Sequence, residues 1–381
     1  MILLRYGIKS LLARKVTALA AALGVALVTF VLSAALMLAT GVESTVAAHG
    51  RNDVVLVLRK GSATELTSVL QEQQVRDLQA MRQLTVSSAE TIMVLAMQKV
   101  GAPGLSNVTV RGIGDSAVKV RQGLHVTQGR RPTPGTSEAM VGARINGRFQ
   151  GLALGEHFDL RRNRPVTVVG IFDDGGSAAE SEVWMDDAML KASFARGGTE
   201  SVVRAQLSEP AAFEEVRRSV EGDLRLGLTL VRETEYLRTQ SEGLTTFLTV
   251  MGWIVTSFFA VGAVIGAMMT MHAAVASRTR EIGTLRALGF SRLRVLSAFT
   301  FESAAMTGLG GLVGALLATL LGFVRISMMN YATWSELVFS FSPTPRVLLT
   351  AAAFGVLMGL VGGIFPAIRA TRISPLAALR Q

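Results

Sequence analysis

Four long stretches of this chain carry no formal charge, and they settle what it can fold into. Residues 16–40, 244–277, 303–324 and 347–368 contain no Asp, Glu, Lys or Arg, and each exceeds the roughly 20 residues that an α-helix needs to cross a hydrocarbon core. Half of the 381 residues are hydrophobic, with a mean hydropathy of +0.42, so the chain reads as a membrane protein with four spans. A signal peptide also begins with a basic segment, but its apolar region runs to only about 7–15 residues, shorter than the 25 uncharged residues of 16–40.

The net charge of +10 does not point to nucleic acid, because of where it lies. Residues 41–243 hold 24 Lys+Arg against 25 Asp+Glu, whereas 1–15, 278–294 and 366–381 together hold 12 basic residues against the single Glu281. The excess is juxtamembrane. The positive-inside rule therefore puts those three segments, and both termini, in the cytoplasm and the near-neutral 200-residue unit on the other side. This gives a multi-pass protein of the inner (cytoplasmic) membrane. The chain has no cysteine and its four histidines are scattered, which argues against a disulfide framework, a thiol nucleophile and a zinc site.

Taken in order, residues 1–15 set Leu4, Ile8, Leu11 and Leu12 on one helical stripe away from Arg5, Lys9 and Arg14, the pattern of an amphipathic helix lying in the headgroup region. The first span covers 16–41. Residues 44–243 alternate strand and helix patterns: strands are expected at 53–59 and 92–97 around a helix at 64–82, and again at 201–207 and 226–231 around a helix at 211–222. Between these two strand–helix–strand sets lies a Gly- and Pro-rich stretch with short strands at 107–111 and 165–172, an expected β-rich insert. The fold class is thus four transmembrane helices plus a large α+β extracytoplasmic domain between the first and second. The second span, 244–277, is about 15–20 Å too long for the bilayer at 1.5 Å per residue, so it should tilt, kink or project as a stalk. The third span covers 295–324, a short external loop 325–346, the fourth span 347–368 and a cytoplasmic tail 369–381, where Ser374 and Pro375 start a last short helix. Gly262/Gly266, Gly310/Gly314 and Gly355/Gly359 are small-residue pairs suited to close helix packing, within the bundle or between subunits.

The segment 278–294 (RTREIGTLRALGFSRLR) is the most informative. Ile282, Leu285, Leu288 and Gly289 fall on one arc of a short helix, Gly289 is a natural stop, and Ser291 is a natural N-cap for the span that follows. The result is a basic helical knuckle on the cytoplasmic face. An exposed apolar stripe beside fixed arginines suits a protein partner better than water. Glu302, in the first turns of the third span, is costly there unless it faces other helices or pairs with an arginine; a proton site is the alternative.

The strings TREIGTLRALGFSR at 279–292 and FPAIRATRISPLAALR at 365–380 resemble the MacB/FtsX-like permeases of type VII ABC transporters. Weaker likenesses lie at 110–113, 141–142, 154–156 and 168–172, and the order of spans and outer domain is similar throughout. The resemblance implies a porter-like outer domain and a coupling helix that docks on an ATPase, with Glu281, Ile282, Gly283, Arg286, Leu288, Gly289 and Arg292 in the contact. It implies a mechanotransmission permease serving export. Its partners would be a dimeric ABC ATPase carrying ATP and Mg, a second permease copy or paralogue, membrane lipids, and a periplasmic adaptor with an outer-membrane duct. A lipoprotein-releasing permease and an FtsX-like regulator of cell-wall hydrolases stay open as alternatives. MacB itself carries a fused N-terminal ATPase, whereas this sequence starts at the membrane helix. No GxxxxGK[ST] is present, so no phosphate-cradling loop and no cofactor are expected on this chain. HExxH and paired intramembrane Asp are also missing, and no SxxK lies within a span, which argues against an intramembrane enzyme.

Overall fold

The computed structural model describes residues 15–330 and 333–372. The amphipathic helix expected at 1–15, apart from Lys15, and the tail helix starting at Ser374 lie outside the described residues. The chain divides into a helical unit (residues 1–41, 244–324 and 340–381) and a β-rich unit (42–243 and 325–339).

In the β-rich unit, β1 (Val54–Arg59), β3 (Leu84–Gln98), β11 (Val202–Leu207) and β12 (Leu228–Arg232) form half of a ten-stranded sheet. Their order, β12-β1-β11-β3, interleaves the two strand–helix–strand sets, since β11 lies between β1 and β3, and β1 between β11 and β12. All three pairings are antiparallel, the split βαβ arrangement. The helices α2 (Glu72–Gln79) and α5 (Phe213–Gly222) cover this half, burying Val75, Leu78, Phe213, Val216 and Val220 against Val55, Val57, Val203 and Leu230. Each such side chain contributes about 1.5–3 kcal/mol when fully buried. A small sheet pairs β2 (Leu70–Gln71) with β10 (Thr199–Glu200).

The fifteen-residue β3 joins the halves, pairing with β11 through residues 84–90 and with β4 (Leu105–Ile113) through 91–98. From β4 the sheet continues through β9 (Glu182–Asp186), β6 (Glu138–Gly142), β8 (Arg164–Asp173) and β5 (His125–Gly129), with β7 (His157–Arg161) also on β8. The short helices α3 (Asp115–Val120) and α4 (Asp187–Phe194) flank it. This is the β-rich insert, with its own core around Val110, Val141, Phe149, Val168 and Val183.

Two stretches differ from the sequence reading. Residues 64–82 do not form one helix: a 3-10 turn (Glu65–Thr67) and β2 precede α2. The reason is local competition, since Glu65 is drawn into ion pairs with Arg111 and Arg204, Ser68 Oγ accepts from the Arg59 N–H at 2.9 Å, and Leu70 pairs with Glu200. Residues 325–346 contain two paired strands, β13 (Arg325–Asn330) and β14 (Ser335–Ser340), in place of a plain loop. Val338 and Phe339 are fully buried, and Val338 joins the insert's core. Buried Glu336 pairs with Lys99 at 2.5 Å and Arg148 at 3.3 Å.

Among the described residues, four helices are long and apolar enough to cross a membrane. They are α1 (Lys15–Val46), α6 (Glu233–Ser277), α8 (Arg292–Ala318, with a 3-10 turn to Phe323) and α9 (Pro345–Thr371). The surplus length of the second span resolves as one unbroken 45-residue helix, whose residues 233–243 belong to the β-rich unit. Close packing of α8 on α1 and α9 depends on missing side chains. A Cβ at Gly314 would sit 2.1 Å from the Ala26 carbonyl oxygen, and one at Gly359 would sit 1.9 Å from Thr307 Oγ1. The Ser303 hydroxyl, freed to approach, donates to the Gly359 carbonyl at 2.8 Å. Gly262 and Gly266, by contrast, have no described atom within 4 Å of a Cβ position.

Candidate functional site

The knuckle is built from α7 (Thr279–Ala287), the turn 288–291 and the first turns of α8. Its root is apolar. Ile282 is 2% exposed and packs among Met271, Val275, Val295, Phe299, Ala367 and Ala370, so α6, α8 and α9 all grip it. Gly283 beside it is also buried. Ahead of α7, Arg278 Nη1 donates to Glu302 Oε2 at 3.0 Å, with the guanidinium 5.9 Å from the Phe299 ring centroid. Both side chains are largely buried, at 11% and 8% exposure. Glu302 thus has a cation as its partner in a setting where a lone carboxylate would be costly.

The turn is closed by backbone geometry. Gly289 has φ +92°, a left-handed conformation that glycine adopts without a Cβ penalty. The Phe290 N–H donates to Leu285 O at 3.1 Å and the Gly289 N–H to Arg286 O at 3.2 Å. Arg286 Nη1 donates to Phe290 O at 3.3 Å, tying the helix to the far side of the turn. Ser291 Oγ accepts from the Arg294 N–H and caps α8.

This sorts the residues singled out in the sequence into two groups. Ile282 and Gly283 face inward, and half-buried Arg286 braces the turn. Glu281, Leu288, Gly289 and Arg292 are exposed, Leu288 by 73%. The arc expected to be a single contact surface is therefore split, with Ile282 used as the anchor and Leu288 at the tip. Leu293, which sequence reasoning passed over, is 75% exposed two residues after the cap, in the first turn of α8, and adds a second exposed apolar side chain near the turn. Its signal was available as an apolar residue between Arg292 and Arg294. Among the described residues no group of three or more His, Cys, Asp or Glu side chains is placed to hold a metal ion.

Among the described residues, four membrane-length helices, a β-rich domain between the first and second, and an exposed basic knuckle between the second and third define a multi-pass membrane protein with a large β-rich insertion. Two family models specify it further: the MacB-like periplasmic core domain matches residues 16–222 and the FtsX-like permease C-terminal domain matches 253–375. The chain belongs to the MacB/FtsX-like ABC transporter permease family. It is 30% identical over 234 residues to the macrolide export ATP-binding/permease protein MacB of Nitrosomonas europaea, a match covering 56% of this chain and 33% of that protein. It is 25% identical over 326 residues to the uncharacterized ABC transporter permease YknZ of Bacillus subtilis, covering 80% of this chain and 77% of that one. The match thus spans about a third of that MacB protein's length. Among solved structures, the periplasmic region of MacB from Actinobacillus actinomycetemcomitans matches with a TM-score of 0.39 at 14% identity, covering 50% of this chain and 94% of that one.

Proposed function

We propose that this chain is the transmembrane permease subunit of an ABC exporter, and that the knuckle is where a separate ATPase subunit docks. The observation that carries the reading is the contrast within one short segment: Ile282 is locked into the helical unit while Leu288, six residues on, is exposed on a glycine turn. An apolar tip on a braced root can receive a push without folding away, and its exposure is otherwise a cost. The relatives named for ATP binding and macrolide export support an ATP-driven exporter. ATP and Mg would sit on the partner. This chain would convert closure of the ATPase into movement of its spans and β-rich unit, with cargo handled on the outer side.

The test is co-expression with a candidate ABC ATPase subunit from the same genome, followed by purification and ATP turnover. Leu288→Asp and Gly289→Arg should each abolish the complex while the permease still inserts and folds. A normal complex with normal turnover in both variants would overturn the docking reading. Recovery of a lipoprotein carrier or a cell-wall hydrolase in place of an exporter's adaptor would replace the export half of the proposal.

A further inference from the structure

The first turns of α6 are seated in a buried charge network. Glu233, 7% exposed, uses both carboxylate oxygens: Oε1 accepts from Arg204 Nη1, and Oε2 from the Arg51 backbone N–H at 3.0 Å. One turn on, the Tyr236 hydroxyl accepts from the Glu65 N–H at 3.0 Å, and a further turn on, Gln240 Nε2 donates to Ala63 O at 3.1 Å. On the remaining side Gly50 lies so close to Thr234 that a Cβ there would be 2.7 Å from its Cα.

Behind Glu233 the network runs deep into the sheet. Arg204 of β11 reaches Glu65 at 3.1 Å, and Glu65 reaches Arg111 of β4 at 2.9 Å. Arg111 also pairs with Glu90 of β3 at 2.9 Å and Glu182 of β9 at 2.7 Å, and Glu90 with Arg121 at 2.7 Å. Glu90 and Arg111 lie where β3 passes from one half of the sheet to the other. One connected set of side chains therefore joins both halves to the root of the helix.

Such a network is a poor way to gain stability. Desolvating four carboxylates and three guanidinium groups offsets most of their attraction, and Arg204 Nε is buried without a hydrogen-bond partner. What it supplies is a single geometry, because every alternative leaves a buried charge unpaired.

The geometry points to a stiff joint: Arg204 and Glu233 are positioning residues that fix the rotation and angle of α6 in the β-rich unit. A displacement of α6 then carries β3, β4, β9 and β11 with it and is not absorbed at the Arg232–Glu233 junction. This rests on the proposed ATP-driven stroke for its purpose, but the stiffness is testable without it.

The natural absence of cysteine allows paired spin labels on the full chain in nanodiscs with its ATPase. Labels at Leu224→Cys, before β12, and Arg238→Cys, on α6, sit at exposed positions of the β-rich unit. Electron–electron distance measurements should give one narrow distribution, unchanged between nucleotide-free and vanadate-trapped states. In Arg204→Met/Glu233→Leu, which removes the pair while conserving apolar volume, the narrow peak should be lost although the melting temperature is retained. Glu233→Asp should keep it. A distribution that shifts on trapping without substitution, or one as narrow in the double variant, would overturn the joint. If no nucleotide is trapped the ATPase reading fails, and the nucleotide-free widths still decide the joint.

Discussion

Arg278 and Glu302 are 24 positions apart, yet they form a 3.0 Å ion pair that fastens the entry of the knuckle to the first turns of the following span. With Ile282 packed beside them, they make the base of the knuckle part of the helical unit and leave Leu288 free at its tip. Breaking a largely buried ion pair by removing one partner costs up to about 3–5 kcal/mol. Glu302→Leu should therefore lower the melting temperature markedly in detergent, and adding Arg278→Met should restore most of it. Equal melting of the parent and Glu302→Leu would show that the pair carries little.

The small-residue pairs in the spans should not respond alike. Gly314→Leu drives a side chain into the Ala26 carbonyl and should prevent stable folding. Gly262→Leu meets no described atom and should leave monomer stability within about 0.5 kcal/mol, as other uncrowded sites do. If Gly262→Leu left the fold intact but altered the elution volume, that face would be a seam with a second copy.

Acid should weaken the β-rich unit in a defined range. Burial raises the Glu90 carboxyl, but the Arg121 and Arg111 charges outweigh this and hold it far below the usual carboxylate range. Hydrogen bonds from Arg130 and the Thr133 backbone bring surface Glu138 down to about 2. A depressed carboxyl contributes stability that is complete above its unfolded value and lost as pH falls toward its folded one. Melts followed by the fluorescence of buried Trp184 should be insensitive to these groups from about pH 6 to 8 and fall progressively below about 4.5. Destabilisation centred near pH 6 would implicate other groups.

The hairpin of β13 and β14 should loosen when Glu336 loses its charge. Burial raises this carboxyl, but the bonds from Lys99, Ser327 and Ser106 more than compensate and lower it. Glu336→Ala leaves Lys99 and Arg148 without it and should speed hydrogen exchange across residues 335–340 while β11 and β12 exchange as before. Unchanged exchange would mean that the apolar seat of Val338 and Phe339 holds the hairpin unaided.

What could be read from sequence followed from what is local. Span positions are written in uncharged runs, and the Ser291 cap and Gly289 turn in single residues whose chemistry acts within a few positions. The interleaving of β1, β11 and β3 could not be read, because pairing order depends on contacts more than a hundred residues apart. The hairpin was missed for a related reason: Ser335–Val338 is buried throughout, so SELVFS lacks the alternation that marks a strand with one face in water. In the knuckle, helical spacing put Ile282 and Leu288 on one arc, but their opposite exposure is set by α6, α8 and α9 closing around Ile282.

Site-specific photocrosslinking in native membranes bears most directly on the docking of the knuckle. With a photoreactive phenylalanine analogue placed in turn at positions 282, 288 and 293, illumination should join positions 288 and 293 to the ATPase subunit and leave 282 without an intermolecular adduct. Adducts from 282 but none from 288 or 293, or no ATPase adduct from any of the three, would contradict the assignment of the knuckle tip as the docking point.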